Sequence, residues 1–183
     1  MPRAGLSPDT VVDVALALID EKGLDALSLA AVADRAGVAT PSLYKHVGSL
    51  AELRELMARR IIREVTGRFA AAVMGRSRDE AVEALMREYR AYATANPARY
   101  ALVPLDPLRH PVLAPAGQEL LAVFVAAMRG YGLTDTAATH AIRRLRAAVH
   151  GFADLETGGG FGLPVDLETT YDELIETFLG SLQ

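Results

Sequence analysis

The amino-acid sequence predicts an all-α protein, and three observations favour helices. Apolar residues make up 51% of the 183 residues, with leucine and alanine abundant among them. Tryptophan is absent and runs of β-branched residues are few. Helix-capping residues and glycine or proline stops recur along the chain. A chain of this length can bury a core without disulfide or metal support.

The first helix is predicted between an N-cap at Ser7 and a stop at Gly23. Pro8 follows the cap at a position where its missing N–H costs nothing, and Asp9 lies in the first turn. The apolar positions between these ends are Val12, Ala15, Leu16 and Ile19. Their helical spacing predicts one buried face.

Two short helices are predicted next, separated by a glycine turn. Ser28 caps the second helix, which ends before Gly37, where a residue without a Cβ suits a left-handed conformation. Thr40 is predicted to cap the third helix, in which Leu43 and Val47 face inward. Two helices joined in this way are typical of a helix-turn-helix.

The third helix is predicted to present polar side chains outward. Its outward and flanking positions are Pro41, Ser42, Tyr44, Lys45 and His46. A helix in the DNA major groove needs short donors and a cation on such a face, because base edges and phosphates accept hydrogen bonds. The pattern favours DNA recognition; the alternative is a short surface helix between core helices.

Longer helices are predicted in the rest of the chain. Ser49–Glu52 and Ser77–Glu80 have the capping-box pattern and precede apolar residues at helical spacing. Five prolines break the segment 96–115 into short turns. Further helices are predicted to begin near Gln118, at Thr134 and near Asp166.

The charged residues are unevenly distributed around a net charge of −4. Acidic residues cluster in the predicted first and last helices, whereas the stretch 35–63 has an excess of arginine and lysine. That excess suits contact with phosphates, but a solvated helix face would also produce it.

Composition and termini predict a soluble cytoplasmic protein without a membrane partner. The absence of cysteine excludes a disulfide framework and fits a reducing compartment. The first ten residues lack the apolar stretch of a signal peptide, and the most apolar run, 120–128, is too short to span a bilayer.

Enzymatic patterns are missing from the sequence. The four histidines lack metal-ligand spacing, and no nucleophile motif or dinucleotide fingerprint occurs. The glycine-rich segment 158–164 is predicted to be a loop. We expect no enzymatic activity, no metal and no cofactor.

The segment Ala17–Leu53, ALIDEKGLDALSLAAVADRAGVATPSLYKHVGSLAEL, resembles the DNA-binding domain of the tetracycline-repressor (TetR) family of transcriptional regulators. Asn96–Tyr100 and Ala147–Gly162 are similar to the ligand-sensing and dimerisation domains of one branch of that family. The resemblance implies a DNA-binding domain at 1–48 and a sensing and dimerisation domain at 49–183. It also implies a homodimer that represses transcription from a palindromic operator and is released by a small-molecule effector.

The resemblance also implies which residues contact DNA. By position these are Ser28, Thr40, Pro41, Ser42, Tyr44, Lys45, His46 and Ser49. The chain departs from the family at Ala30 and Leu50, where a basic residue and a lysine are common. Arg3 in the N-terminal segment is a candidate replacement contact.

A group of apolar and aromatic residues suits a largely apolar effector of drug size. The predicted effector-binding residues are Met86, Tyr89, Tyr92, Phe124, Met128, His150 and Phe152. Because no arginine or lysine is obviously inward in these helices, we expect a neutral or cationic compound. The alternative is that these residues are ordinary core and that the chain is a helical DNA-binding protein or a dimeric interaction protein without a small-molecule effector.

The last two predicted helices supply more apolar surface than one small domain readily hides, which predicts a dimer interface. Its predicted residues are Ile142, Leu145, Val149, Leu174, Ile175, Phe178 and Leu182. The alternative is that most of them form intramolecular core.

Overall fold

The computed structural model describes residues 6–183, and the regular structure in that range is helical. The α-helices in it are α1 (Pro8–Lys22), α2 (Leu29–Ala36), α3 (Thr40–Leu43), α4 (Leu50–Val73), α5 (Arg78–Ala95), α6 (Pro97–Leu102), α7 (Ala114–Met128), α8 (Asp135–Thr157) and α9 (Leu167–Gly180). Short 3-10 turns lie at Leu24–Ala26, Pro107–Arg109 and Arg129–Tyr131. The predicted all-α class is confirmed. None of the described helices combines the length and the apolarity needed to cross a membrane.

The chain forms two compact units. The first contains the chain up to Ile62 together with Ala98–Gly117. The second contains Arg63–Pro97 and Gln118–Gln183. The division falls within α4, and the predicted domain boundary at residue 48 stays a prediction.

Helix α1 has the ends that the sequence predicts. Ser7 Oγ accepts a hydrogen bond from the Thr10 N–H at 3.1 Å, and the Gly23 N–H donates to the Ile19 carbonyl at 2.9 Å. The buried face is wider than predicted and contains Val11, Val12, Ala15, Leu16, Leu18 and Ile19. This face packs against α2, which places it in the core of the first unit.

The turn between α2 and α3 is made by backbone hydrogen bonds around Gly37. Gly37 has φ 67° and ψ 34°, the left-handed conformation predicted for it. Its N–H donates to the Asp34 carbonyl at 3.0 Å, and the Val38 N–H donates to the Ala33 carbonyl at 3.0 Å. These two bonds form a Schellman motif, which ends α2 and directs the chain into α3.

Helix α3 begins and ends differently from the prediction. Thr40 is its first residue rather than its N-cap, and Ala39 precedes it without a side-chain cap. The Ala39 carbonyl accepts from the Ser42 N–H at 2.8 Å, so the backbone already turns helically at Thr40. The helix ends at Leu43, and the turn continues because its carbonyl accepts from the Val47 N–H at 2.9 Å.

One predicted capping box forms and the other does not. At α4, the Glu52 N–H donates to Ser49 Oγ at 3.0 Å, while the Glu52 carboxylate accepts from the Gly48 N–H at 2.6 Å, one residue earlier than predicted. At α5, Ser77 makes no side-chain cap. Arg78, the first residue of α5, has φ 50°, and this turn of the chain keeps the serine hydroxyl from the first-turn amides.

The later helix starts are partly as predicted. Asp166 caps α9 by accepting a hydrogen bond from the Thr169 N–H at 2.9 Å. Helix α7 begins at Ala114, four residues before the predicted start at Gln118. Pro115 then occupies the second position of α7, where a proline is tolerated because no intrahelical N–H is needed there.

Candidate nucleic-acid interface and effector domain

Helix α3 is anchored to the first unit by two apolar side chains. Leu43 and Val47 are fully buried, as predicted from their spacing. Helix α3 packs against α2, and α2 against α1. Helix α3 has little more than one turn, and one of its faces is buried. The opposite face therefore contacts either solvent or a ligand.

The opposite face carries the predicted DNA-contacting side chains. Pro41, Tyr44 and Lys45 are exposed, with Tyr44 at 56%. Thr40, Ser42 and His46 are half-buried. Within residues 6–183, the side chains of Thr40, Ser42, Tyr44, Lys45 and His46 make no hydrogen bond or ion pair. Their donors are therefore available to an acceptor outside the chain.

Ser28 and Ser49 are exposed at the N-termini of α2 and α4, and both hydroxyl oxygens act as caps. Ser28 Oγ accepts from the Ala31 N–H at 3.1 Å, and Ser49 Oγ accepts from the Glu52 N–H. A capping hydroxyl keeps its own proton. Each serine can therefore donate one hydrogen bond to a phosphate while it caps its helix.

Ion pairs occupy two of the six basic residues in the stretch 35–63. Arg35 donates to both carboxylate oxygens of Glu21, one at 2.7 Å, and this hydrogen bonding raises the pKa of Arg35 and lowers that of Glu21. Arg60 binds Asp9 at 2.7 Å and Asp13 at 2.8 Å. The basic residues of this stretch without an ion pair in the described chain are Lys45, Arg54, Arg59 and Arg63.

Three predicted details of the interface stay open. Ala30 is exposed on α2 and Leu50 is half-buried at the start of α4, so neither supplies a cation. Arg3, the candidate replacement, lies outside the described residues.

An aromatic cluster occupies the second unit and includes two predicted effector residues. Tyr89 of α5 and Phe124 of α7 have ring centroids 6.2 Å apart. Phe69 of α4 contacts both, at 5.3 Å from Tyr89 and 5.9 Å from Phe124. Sequence reasoning missed Phe69 as a site residue, although its position two turns after Ile61 on α4 could have indicated it. The predicted residues Met86, Tyr92 and Met128 are also buried.

Phe152 does not join this aromatic cluster. Its ring packs on Tyr171 and Phe161, with centroid distances of 4.8 Å in both cases. His150, on the same helix, is half-buried. The prediction that these seven residues converge on one space therefore needs correction for Phe152, whose partners come from α9 and the preceding loop.

A buried arginine corrects the prediction that no cation is inward in the second unit. Arg90 of α5 lies over the rings of Tyr171 and Phe152, at 4.6 Å and 5.1 Å from their centroids. Glu156 of α8 accepts two hydrogen bonds from it, at 2.7 Å and 2.9 Å, and Glu168 pairs with it at 2.9 Å. These carboxylates, led by Glu156, raise the pKa of Arg90. One cation with two carboxylates leaves a negative charge, which disfavours an anionic ligand there.

Family models match both parts of the chain. The model described as "Bacterial regulatory proteins, tetR family" matches residues 11–57, and that described as "Tetracyclin repressor-like, C-terminal domain" matches residues 82–178. The chain belongs to the TetR family.

Individual TetR-family relatives agree with this assignment. A helix-turn-helix transcriptional regulator of Mycobacterium tuberculosis, Rv0681, is 33% identical over 94% of this chain and 79% of its own length. The transcriptional repressor DrrR1 of Streptomyces coeruleorubidus is 32% identical over 83% of this chain and 54% of its own length. The structure of Streptomyces coelicolor ActR in complex with actinorhodin has a TM-score of 0.71 and 25% identity, covering 98% of this chain and 97% of ActR. The protein is a transcriptional regulator rather than an enzyme.

The predicted dimer residues of this TetR-family chain also need correction. Six of them are buried within the single chain: Ile142, Leu145, Val149, Ile175, Phe178 and Leu182. Leu174 is half-buried. The buried six lie in or just after the helices α8 and α9, which pack with α5 in the core of the second unit, so they offer little surface to a second copy. Any dimer formed by α8 and α9 has to use other positions on these helices.

Proposed function

We propose that this TetR-family protein is a ligand-responsive repressor that binds a palindromic operator as a homodimer. The observation that carries the proposal is the outward face of α3. Its polar side chains have no partner within residues 6–183, and Leu43 and Val47 fix the helix that presents them. Preorganised donors of this kind are what base edges and phosphates require.

The exposed side chains divide into two roles in this proposal. Lys45 reads a base edge, because it is a long exposed cation in the turn that continues α3. Tyr44, an exposed residue, donates its hydroxyl to a phosphate. The supporting phosphate and sugar contacts come from Ser28, Thr40, Pro41, Ser42, His46 and Ser49. Residues 1–48 form the DNA-binding domain, and 49–183 form the sensing and dimerisation domain.

A homodimer is proposed because a domain with one reading helix contacts only a short half-site. Two copies related by a two-fold axis read two inverted half-sites about one helical turn or more apart. Repression is supported by the relative DrrR1, which is named a repressor.

A small-molecule effector is supported by the similarity to ActR, whose structure contains actinorhodin. The aromatic cluster of Phe69, Tyr89 and Phe124 offers apolar contacts suited to a neutral or cationic compound. The proposed homodimer has one conformation in which the two α3 helices match the spacing of the half-sites and another in which they do not. A ligand that binds the second conformation more tightly lowers operator affinity by the difference between its binding free energies for the two, typically about 1–3 kcal/mol.

The DNA-binding part is tested with an operator selected from random double-stranded DNA by the wild-type protein. Lys45→Ala is expected to weaken binding roughly tenfold and to relax base preference at one position of each half-site. Tyr44→Phe is expected to weaken binding uniformly across sequences. Fluorescence anisotropy measures both. Arg129→Ala is the matched control, since Arg129 is exposed in the second unit. Wild-type affinity in Lys45→Ala, Tyr44→Phe and the Ser42/His46 double alanine variant would refute the assignment.

The effector part is tested with Nile red, an uncharged apolar dye, and by native mass spectrometry of the purified protein. We expect the dye to bind, to compete with any co-purified compound, and to lower operator affinity about fivefold or more. Tyr89→Ala should weaken this response without changing operator affinity in the absence of dye. A wild-type protein that neither binds the dye nor carries a compound would favour the alternative of a DNA-binding protein without an effector.

A further inference from the structure

We propose that opposite charges on the exposed faces of α8 and α9 select a second copy of this chain as the dimer partner. The basic face is defined by Arg143 and Arg144 of α8, and the acidic face by Glu173 and Glu176 of α9. This inference rests on the proposed homodimer and names the residues that determine its pairing.

The basic face lies opposite the buried side of α8. Arg143 and Arg144 are exposed, and neither makes an ion pair or side-chain hydrogen bond in the described part of the chain. By contrast, Arg87 and Arg90 of α5 are both paired with carboxylates. Arg146, the third arginine of α8, has an interaction within the chain, so Arg143 and Arg144 are the α8 guanidiniums without an intramolecular partner among the described residues.

The acidic face lies opposite the buried side of α9. Glu173 and Glu176 are exposed and have no ion pair among residues 6–183. The other acids of α9 have partners, since Glu168 binds Arg90 and Asp172 binds Arg87. Helix α9 contains no arginine or lysine.

A two-fold axis satisfies both faces at once. In an isologous interface, a contact from α8 to the partner's α9 is repeated as a contact from α9 to the partner's α8. Each basic face then meets an acidic face. A dimer built on α8 against α8 alone would instead leave the acidic faces of both copies without a cation.

The space beside α8 suits the approach of another helix. Gly151 lies two turns after Arg144 on the same face, and a Cβ added to Gly151 would meet no atom of the described chain within 4 Å. A glycine in mid-helix costs helix stability, and nothing within this unit requires one there. Leu155, one turn further on, is 50% exposed. Arg144, Gly151 and Leu155 thus lie along one exposed face of α8, and a helix of a partner can cover this face.

Other occupants fit less well. DNA phosphates would gain from Arg143 and Arg144 but would be repelled by Glu173 and Glu176. An acidic or a basic foreign protein would satisfy one face and oppose the other. A second copy of this chain carries an acidic face for the basic face and a basic face for the acidic face.

The test is a charge-exchange experiment with two variants. In R143E/R144E both faces are acidic, and in E173R/E176R both are basic. We expect each variant alone to have a dimer dissociation constant raised roughly tenfold or more, because like charges then oppose each other. Mixed together, they should form a heterodimer with near wild-type affinity. The fourfold exchange variant should recover a homodimer. Sedimentation velocity and native mass spectrometry measure the species, and the control R129E should dimerise as wild type does.

Salt and folding provide two further checks. At 1 M NaCl, where the screening length is about 3 Å, the difference between the variants and wild type should largely vanish. Circular dichroism should show wild-type helicity in all variants, since the four residues are exposed.

The outcomes separate this inference from the proposed function. A wild-type dimer whose affinity is unaffected by either variant, with no preference for the heterodimer, would overturn the charge-pairing inference and leave the proposed homodimer intact. A wild-type monomer at micromolar concentration would overturn both. Loss of operator affinity in R143E/R144E with unchanged dimerisation would assign the α8 arginines to DNA and overturn the inference.

Discussion

Arg90→Ala is expected to lower the free energy of unfolding by about 3 kcal/mol, the lower end of the range for breaking a buried ion pair. The substitution leaves Glu156, whose side chain is 23% exposed, without its cation. It also removes the guanidinium from the faces of Tyr171 and Phe152. Glu168 is largely exposed and regains water, which is why the loss stays at the lower end.

Arg87→Ala is the matched control for Arg90. Arg87 is also on α5 and also binds two carboxylates, Glu83 and Asp172, but its side chain is 43% exposed. Exposed pairs contribute little, so the expected loss is below about 1 kcal/mol. Urea unfolding followed by circular dichroism measures both variants. If the two variants lose the same free energy of unfolding, the ion pairs of Arg90 are not effectively buried.

Phe124→Ala is expected to cost about 3–4 kcal/mol of unfolding free energy. The Phe124 ring is buried and packs edge-on against Phe69 and Tyr89, so its removal leaves a cavity as well as lost apolar burial. Phe161→Ala is the control, because Phe161 is half-buried and contacts Phe152 alone among the aromatic rings of the described chain.

The Phe124 variant also bears on the effector. If the aromatic cluster is tightly packed core, the stability loss will reach the expected value and no small apolar molecule will restore it. If benzene or Nile red raises the melting temperature of Phe124→Ala more than that of wild type, the created cavity is accessible to ligands. A loss no larger than that of Phe161→Ala would contradict the assignment of Phe124 to the core.

Local chemistry made much of the first unit predictable. The caps at Ser7, Ser28 and Ser49 and the left-handed Gly37 involve atoms within four residues, so the sequence window contains all that decides them. The prediction for Ser77 was wrong because the φ of Arg78 decides whether the hydroxyl reaches its amide.

The second unit shows where sequence reasoning stops. The apolar period of α8 and α9 correctly marked buried faces, but it does not say whether a face is buried in its own chain or against a second copy. Arg90 was missed for a related reason. A charged residue is assigned to the surface by default, and its carboxylate partners lie 66 and more residues further along the chain.

Helix α1 has a consequence for how the regulator searches a genome. Its acids hold guanidiniums from three other helices: Glu21 binds Arg35, Asp9 and Asp13 bind Arg60, and Asp20 binds Arg99. A guanidinium that is held by an acid of α1 is not free to bind a DNA phosphate. Each phosphate contact makes the logarithm of the sequence-independent binding constant fall more steeply with the logarithm of the salt concentration, by about 0.9 in slope. On the proposed function, α1 therefore limits the time that the protein spends on the vast excess of wrong sites, while α3 alone decides which site is right.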